Sequence, residues 1–509
     1  MSRFNRLLTA RRDTPTPQAA ATQPLVTLPP VANVPAAKPA TGFTPPQESV
    51  SAVQSVGFFI VLAYVFARFS LISEITTFGL GYNLYIIVIV GPLAALATIV
   101  TGGIRRFLLA PPAYFLIGFM LWLVVAVPFS TWHGGSFALL KNAFMTDFSM
   151  FFMIVALTRS WRQCVLLMNA IAIGGAVDFI TTRIYGADEV GRLVMSFGTL
   201  GNPNDLATHL LITLPFCILL ILNNRSIVVR PLAACAAVAM LYAIIQTGSR
   251  GALLSVAAVV IYIFFKGSPM LKIGLAVGGV IVVVLTMALL PSGVMLRYAT
   301  IFNSDYQAES GTEAQYEYAV SSEEARKQLL IDSVLTTLAH PLFGVGPGNY
   351  ASADAGKKNE AGQHASWQVT HNSYTQVSSE SGIPGLVLFL GMIISTFKMV
   401  GSTYRQTRKR PELQYLSNTA FALLITLAGF SVNIFFSALA YNYYLPTLVA
   451  ISIVFCTIAR QHIQRFESQS VASPVPVAST RRAPATEMPA RRSAPLLNRG
   501  RKQAAPTSP

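Results

Sequence analysis

Several ionisable side chains interrupt otherwise apolar stretches of this chain. They are Arg68, Asp147, Asp178, Asp205, His209 and Arg250. Charged groups are costly in a hydrocarbon environment, and where they occur they pair with one another or mark a functional site. Asp205 and His209 are four positions apart and therefore share one face of a helix. An ion pair or a side chain that reaches for the interface accounts for each residue alone, but the group together predicts a polar cavity.

A second set of candidate residues lies in the long polar segment 292–383, near whose end stands His371-Asn372-Ser373-Tyr374. The glycines of Gly344-Val345-Gly346-Pro347-Gly348 could present backbone N–H groups to a phosphate, although a tight turn is the more ordinary use of this pattern. The segment has no cysteine, and no His-x-x-x-His or His-Glu-x-x-His spacing occurs in the chain. Neither a disulfide framework, nor a metal centre, nor a cofactor is therefore expected.

The elements that must hold these residues are predicted to be membrane-spanning helices. Hydrophobic residues make up 53% of the chain and charged residues 11%, with a mean hydropathy of +0.53, whereas soluble proteins carry about 25% charged residues. The composition predicts an all-α polytopic membrane protein with about 12 transmembrane helices, each close to the roughly 20 residues that cross a hydrocarbon core. The predicted spans are 52–72, 80–100, 107–127, 143–158, 164–183, 204–222, 231–247, 250–266, 271–291, 384–400, 417–436 and 441–459.

The orientation follows from the Lys and Arg residues close to the spans. Most of them fall on one side when the chain is threaded with its N-terminus in the cytoplasm, for example Arg105, Arg159, Lys398 and Arg460. This bias predicts that both termini are cytoplasmic and that the large loop between spans 9 and 10 is outside. The ionisable residues within the spans then all lie in the outer half of the bilayer or at its outer rim.

The predicted organisation has five parts. They are a disordered cytoplasmic arm at 1–51, transmembrane helices 1–9 at 52–291, an outer loop at 292–383, transmembrane helices 10–12 at 384–459, and a disordered basic cytoplasmic tail at 460–509. The net charge of +16 comes from the inner loops and the tails, so attraction to anionic membrane lipids is expected and nucleic-acid binding is not.

Two short helices are predicted inside the outer loop. Ser321-Ser322-Glu323-Glu324 is a capping-box pattern that would begin an amphipathic helix ending before Pro341. Arg326 would then lie in the first turn of that helix. A second helix is predicted from about His371 to Ser381, with Gly382 after its last residue and Pro384 at the start of the next span.

Four short motifs together resemble the O-antigen ligase and polymerase family. They are His371-Asn372 with Gly382, Pro341 with Gly344 and Gly346, Gly201-Asn202-Pro203-Asn204, and Ser249-Arg250-Gly251. The resemblance covers roughly residues 190 to 400, and the layout of the predicted spans agrees with it. It implies a metal-independent glycosyltransferase of the bacterial inner membrane. Such enzymes take a glycan from undecaprenyl diphosphate and join it to a sugar hydroxyl on the periplasmic face.

The resemblance also implies a role for each candidate residue. His371 matches the family's histidine, and an imidazole is suited to accept the proton of the acceptor hydroxyl. Arg250 and Arg326 would hold the diphosphate, because a guanidinium donates pairs of hydrogen bonds to phosphate oxygens. Arg297 is an alternative to Arg326. The possible supporting residues are Asn372, Asn204, Asp205, His209 and Arg192.

The branch of the family stays open at this stage. A ligase would use the lipid A core as acceptor, a polymerase of O-antigen or exopolysaccharide would use a growing glycan chain, and a third branch attaches glycans to protein hydroxyls. No outer arginine shows the Arg-x15-Gly spacing frequent in polymerases, which weakens only the enterobacterial type. A transporter or flippase of lipid-linked glycans, without chemistry, is the alternative from another class.

Overall fold

The computed structural model describes residues 52–108, 110–189, 191–291, 294–295, 298, 313–360, 362 and 367–472. The predicted disordered arm at 1–51, the tail from 473 onward and the candidate Arg297 lie outside the described residues. All elements below belong to the unit Pro45–Pro509.

Helices dominate the described chain. The longer ones are α1 (Ala52–Phe69), α2 (Ile86–Val100), α3 (Pro111–Ala126), α4 (His133–Asn142), α5 (Ser149–Leu157), α6 (Trp161–Tyr185), α7 (Pro203–Asn223), α8 (Val229–Gln246), α9 (Arg250–Lys266), α10 (Pro269–Leu289), α11 (Glu313–Ala339), α12 (Tyr350–Glu360), α13 (Ser373–Thr407), α14 (Gln414–Asn433) and α15 (Tyr444–Ala472). Shorter helical turns lie at Ile72–Glu74, Ile75–Gly79, Gly103–Arg106, Val127–Phe129, Ala143–Phe148 and Pro411–Leu413. The π-helical turn Ala143–Phe148 joins α4 and α5 into one long segment.

Ten of the described helices are long and apolar enough to cross a membrane, so the chain is a helical multi-pass membrane protein. Two of the twelve predicted spans fall short of that length. The second contains α2, which has 15 residues because residues 80–85 are not helical. The eighth is α9, which has 17 residues and begins only at Arg250. A helix of that length reaches less than the roughly 30 Å of a hydrocarbon core, so the count of twelve is not confirmed.

A small sheet adds to the predicted all-α fold. Strand β1 (Gly186–Glu189) pairs antiparallel with β2 (Arg192–Met195), directly after α6. Gly191 has φ +79° in the connecting turn, which favours glycine. The side chain of Arg192 is buried at the start of β2, so the hairpin carries one of the candidate residues into the interior.

The segment before α13 differs from its predicted form. Helix α11 begins at Glu313, so Ser321 lies within a continuous helix and does not cap one. Good helix formers such as Glu313, Ala314 and Gln315 precede it and favour continuation. Helix α12 was not predicted. At the chain's other end, α15 continues to Ala472, so residues 460–472 are helical where the sequence predicted the start of the tail.

Helices α7, α14 and α15 supply much of the core, while α10 lies at the periphery. Of the 18 most apolar consecutive residues of each helix, 67% are buried in α7 and 83% in α15, against 11% in α10. Helix α7 packs on α8 and α14, α9 packs on α14, and α11 packs on α13. These contacts bring the start of α9, the middle of α11 and the start of α13 together.

Candidate active site

An open pocket of about 320 Å³ lies where these three helices meet, at the lower end of the usual size for ligand pockets. Four parts of the chain line it: the start of α9, one face of α11, the residues just before α13, and two aromatic rings after α14. Its lining residues are Arg250, Gly251, Leu254, Ser322, Glu323, Arg326, Lys327, Leu330, Thr370, His371, Asn372, Phe435 and Phe436. Arg250, Arg326, His371 and Asn372 were all predicted as site residues.

Arg250 is positioned by residues of two separate motifs. Ser249 caps α9, its hydroxyl accepting from the backbone of Ala252. The same hydroxyl donates to Asn204 Oδ1 at 2.9 Å. Arg192 donates to Asn204 Oδ1 at 3.2 Å and to the backbone oxygen of Thr247 at 2.8 Å. Asn204 and Arg192 do not line the pocket themselves but hold the turn that precedes α9 in place. The motifs at 201–204 and 249–251 meet at this point.

Gly251 explains why the motif at 249–251 ends in glycine. A Cβ atom at this position would lie 2.5 Å from Cβ of Phe436, well inside van der Waals contact. The close approach lets α9 rest against the chain after α14. Phe435 and Phe436 thus form the apolar wall of the pocket beside Arg250.

Helix α11 contributes one negative and two positive side chains to the lining of the pocket. Glu323 Oε2 lies 2.5 Å from Nη1 of Arg250, and its other oxygen lies 2.9 Å from Nζ of Lys327. Hydrogen bonds from Lys327 and then from Arg250 hold the pKa of Glu323 below its usual range. Arg326 lines the pocket next to this pair. Sequence reasoning missed Glu323 and Lys327 as site residues, although their spacing of four positions signals a shared helix face.

His371 lines the pocket and has a left-handed backbone conformation, with φ +50°, which is uncommon for residues other than glycine. The chain on its C-terminal side is fixed. Asn372 caps α13, its side chain accepting from Tyr374 and Thr375. Ser373 donates from its backbone to Ile434 at 2.8 Å. Helix α13 therefore begins at Ser373. The sequence predicted a start at about His371.

The imidazole of His371 is half-buried, and this changes its protonation. Burial is the main cause that lowers its pKa to about 4 from an ordinary 6.5, and the positive charge of Arg326 lowers it further. Both causes disfavour the charged ring. His371 is therefore neutral at neutral pH and able to accept a proton.

Two helix N-termini face the same pocket, those of α9 and α13. The N-terminal end of a helix carries a partial positive charge from its aligned peptide dipoles and attracts anions. Together with Arg250, Arg326 and Lys327, these ends make the pocket electropositive, with Glu323 as the carboxylate among its described lining residues. Such an arrangement suits a ligand with several negative charges.

The glycine turn at 344–348 has a structural role. Backbone N–H groups of Val345 and Gly346 donate to the backbone oxygens of Ser379 and Glu380. The N–H of Gly348 donates to the carboxylate of Glu380 at 2.8 Å. The turn thus binds a carboxyl group of the protein itself instead of a phosphate. It also locks the 341–348 motif to the end of the first part of α13.

Gly382 is the place where α13 kinks. Its φ and ψ of 74° and −177° are non-helical, a region open essentially to glycine alone. A Cβ atom there would lie 1.9 Å from the backbone oxygen of Leu342. The predicted stop at Gly382 is therefore present as a kink, with the predicted short helix and the next span merged into one helix.

The remaining predicted residues lie away from the pocket. His209 is fully buried; its Nε2 lies 2.8 Å from Oδ2 of Asp178 and its Nδ1 lies 2.9 Å from the hydroxyl of Tyr444. Asp205, in the first turn of α7, lines no part of the pocket. His209 thus pairs with α6 and α15, and not with its neighbour on α7.

The polar cavity predicted from the in-span charges is not what these residues form. Arg68 pairs with Asp147 at 2.6 Å, and Asp178 pairs with His209. An ionisable group without a polar partner is unfavourable in a low-dielectric interior, so such groups come together. Of the group, Arg250 is the member that reaches the pocket. Among the described residues, no group of three or more His, Cys, Asp or Glu is arranged to hold a metal ion.

The fold and the pocket together define a class: a helical multi-pass membrane protein with an electropositive, histidine-containing site where helices end. Residues 235–390 match the family model for O-Antigen ligase. This part of the chain is therefore similar to the O-antigen ligase family, and the resemblance that its motifs indicate is confirmed. The matched range includes Arg250, Arg326 and His371. No curated protein is similar enough to the chain to count as a match.

Proposed function

We propose that this protein is a metal-independent glycosyltransferase. It moves a glycan from undecaprenyl diphosphate to an acceptor sugar hydroxyl on the periplasmic face of the bacterial inner membrane. The observation that carries the proposal is the meeting of Arg250, Arg326 and His371 in one pocket. These residues lie on α9, on α11 and just before α13. They are far apart along the chain, and the fold brings them together.

The proposed reaction is a displacement at the anomeric carbon of the donor. The oxygen of the acceptor hydroxyl forms a bond to this carbon, and the bond from the carbon to the diphosphate oxygen breaks. The electron pair of that bond stays on the diphosphate, whose negative charge grows. Arg250 and Arg326 stabilise this charge, because preorganised cations act most strongly where charge develops.

His371 accepts the proton of the attacking hydroxyl. This role needs a neutral imidazole, and the lowered pKa of His371 supplies one at neutral pH. A weak base in the free enzyme becomes a stronger one when an anion binds nearby, because negative charge stabilises the imidazolium. Binding of the diphosphate would therefore prepare the base for the step that it performs.

The orientation is proposed from the bias of Lys and Arg residues, with both termini in the cytoplasm and the pocket on the periplasmic side. A cysteine introduced at Ser352 of α12 should react with a membrane-impermeant thiol reagent in cells with a permeabilised outer membrane. One introduced at Ser402 of α13 should not. The four native cysteines would first be replaced, and the opposite labelling pattern would overturn the proposed side of the pocket.

The transfer itself is tested with purified protein, a lipid-linked glycan and a panel of acceptors. An enzyme yields a new glycosidic bond and free undecaprenyl diphosphate, whereas a transporter or flippase yields neither. Transfer to lipid A core, and to no other acceptor of the panel, would identify a ligase. Lengthened glycan with donor alone would identify a polymerase of O-antigen or exopolysaccharide units. Absence of any new glycosidic product across the panel, with folded protein, would contradict the proposal.

A further inference from the structure

Glu323 is the carboxylate among the described residues that line the pocket. Each of its two carboxylate oxygens contacts a cation on a different helix. One receives Arg250 of α9 at 2.5 Å, and the other receives Lys327 of α11 at 2.9 Å. A phosphate group would be held in the same way, because carboxylate and phosphate oxygens both accept charge-assisted hydrogen bonds from Arg and Lys. The position of Glu323 is therefore an anion-binding position that the protein itself fills.

We propose that Glu323 occupies, in the empty pocket, the place of one phosphate group of the donor, and that the diphosphate displaces it. Displacement turns the Arg250 donor that Glu323 occupied toward the ligand and adds Lys327 as a further cationic contact of the ligand. The inference rests on the proposed function, since it concerns the same pocket and the same diphosphate.

The two partners of the pair differ in how easily they can leave. The side chain of Glu323 is 42% exposed, whereas that of Arg250 is 17% exposed. Arg250 is moreover held at the start of α9 by the contacts around Ser249 and Asn204. An ion pair that is open to solvent contributes little stability. Glu323 can therefore swing into water at small cost, while Arg250 stays in place to receive the ligand.

Displacement would also select among anions. A ligand with one phosphate group only exchanges one anion for another on Arg250 and Lys327. A diphosphate puts one phosphate group in the place of Glu323 and has a second for Arg326, which lines the same pocket, so it gains on exchange. Glu323 therefore acts as a threshold that favours a diphosphate over a monophosphate, which is the chemical difference between the lipid diphosphate donor and a lipid monophosphate. It is an affinity and selectivity residue, not one that reacts.

The experiment measures binding, independent of transfer. The full chain, purified in detergent, is titrated calorimetrically with inorganic pyrophosphate and with inorganic phosphate at fixed ionic strength. Glu323→Gln should bind pyrophosphate about 5-fold more tightly than the wild type, because it removes a competitor of about the strength of an exposed pair. Its preference for pyrophosphate over phosphate should fall. The double variant Glu323→Gln with Lys327→Gln should lose most of the gain.

The matched control is Glu324→Gln, which makes the same change of charge one position along α11, outside the pocket lining. It should leave both affinities unchanged. If Glu323 only braces α9 against α11, its replacement loosens Arg250, and pyrophosphate binds equally or more weakly. That result, with binding still dependent on Arg250, would overturn this inference and leave the proposed function standing. If Arg250→Ala binds pyrophosphate as well as the wild type, or none of the proteins binds it, the proposed diphosphate site fails and the inference fails with it.

Discussion

The pocket around Arg250 and the pair of Asp178 with His209 are built from the same kinds of side chain in opposite surroundings. Both Asp178 and His209 are 0% exposed, and each finds its partner inside the helix bundle. Arg250 also has a carboxylate partner, but that partner lies on the open wall of a pocket, together with Arg326 and Lys327. One cluster is closed on itself, and the other has an excess of positive charge facing a space.

The difference teaches that an ionisable residue in an apolar stretch has two stable outcomes. It can be neutralised by a partner in the core, where the pair stabilises the packing of helices α6, α7 and α15. Alternatively, it can lie at the end of a helix, where solvent and ligand share its charge. Only in the second case is the charge available to a substrate. Variants in the two clusters should therefore fail in different ways.

The largest effect is expected from the histidine of the open cluster. His371→Ala removes the proposed base, and loss of a general base typically lowers the rate by about 100- to 10,000-fold. Folding should be preserved, because the imidazole is only half-buried and the cap of α13 belongs to Asn372. The measurement is transfer from a lipid-linked glycan with equal amounts of purified protein. His340→Ala, an exposed histidine outside the pocket, is the control and should stay active; full activity of His371→Ala would remove His371 from the mechanism.

The arginine of the same cluster comes next. Arg250→Lys keeps the charge but loses the planar fork that holds two oxygens at once. We expect a loss of about 100-fold in transfer, equivalent to about 2.7 kcal/mol of transition-state stabilisation, almost as large as that of Arg250→Ala. Arg225→Lys, on an exposed loop outside the pocket lining, should have no effect. Near-normal transfer by Arg250→Lys would mean that a point charge suffices and that paired contacts are absent.

The closed cluster should respond in stability and not in catalysis. His209→Ala leaves Asp178 buried without its imidazole, which costs roughly 2–3 kcal/mol. The variant should show a lower midpoint in a thermal-stability assay, while transfer per folded molecule stays close to normal. His133→Ala, on an exposed histidine, controls for the loss of a ring. A variant that is stable but inactive would move His209 into the functional site and erase the distinction between the clusters.

The sequence predicted the membrane helices well because hydropathy is a local property. Ten predicted spans have counterparts in helices long enough to cross a membrane. Errors arose where length was marginal, as in α2 and α9, and where a local signal was overridden. The capping pattern at Ser321 did not begin a helix, because the chain before it also favours helix.

The site was predictable only in part, since its parts are distant in sequence. The family resemblance pointed to Arg250, Arg326 and His371, but not to the reason for their meeting. Asn204 was predicted as a supporting residue, and its role as an acceptor for Ser249 and Arg192 depends on three-dimensional contacts. Glu323 belongs to none of the four family motifs, and its partner on α9 lies far away in the chain. Pairing of His209 with Asp178 across two helices was equally hidden from the sequence.

The smallest effect is expected in the pH dependence of the open cluster, and it separates the two causes of the lowered His371 pKa. A base works only when unprotonated, so kcat/KM falls as pH drops through the pKa of the free enzyme. With a pKa of about 4, the wild type should keep its kcat/KM down to about pH 5, where a histidine of ordinary pKa would already have lost most of it.

Arg326→Gln removes a positive charge that opposes protonation. The pKa therefore rises, and the acid limb moves to higher pH. Burial, the larger cause, remains, so the limb should stay below 6.5. Lys327→Gln is the control: it also removes a pocket cation, but not one of the causes of the lowered His371 pKa, so its limb should stay in place. The position of the limb does not depend on the amplitude, which allows the test even if Arg326→Gln lowers transfer. A wild-type midpoint near 6.5 would show that the pKa of His371 is not lowered at all. An unmoved limb in Arg326→Gln would show that Arg326 does not tune His371.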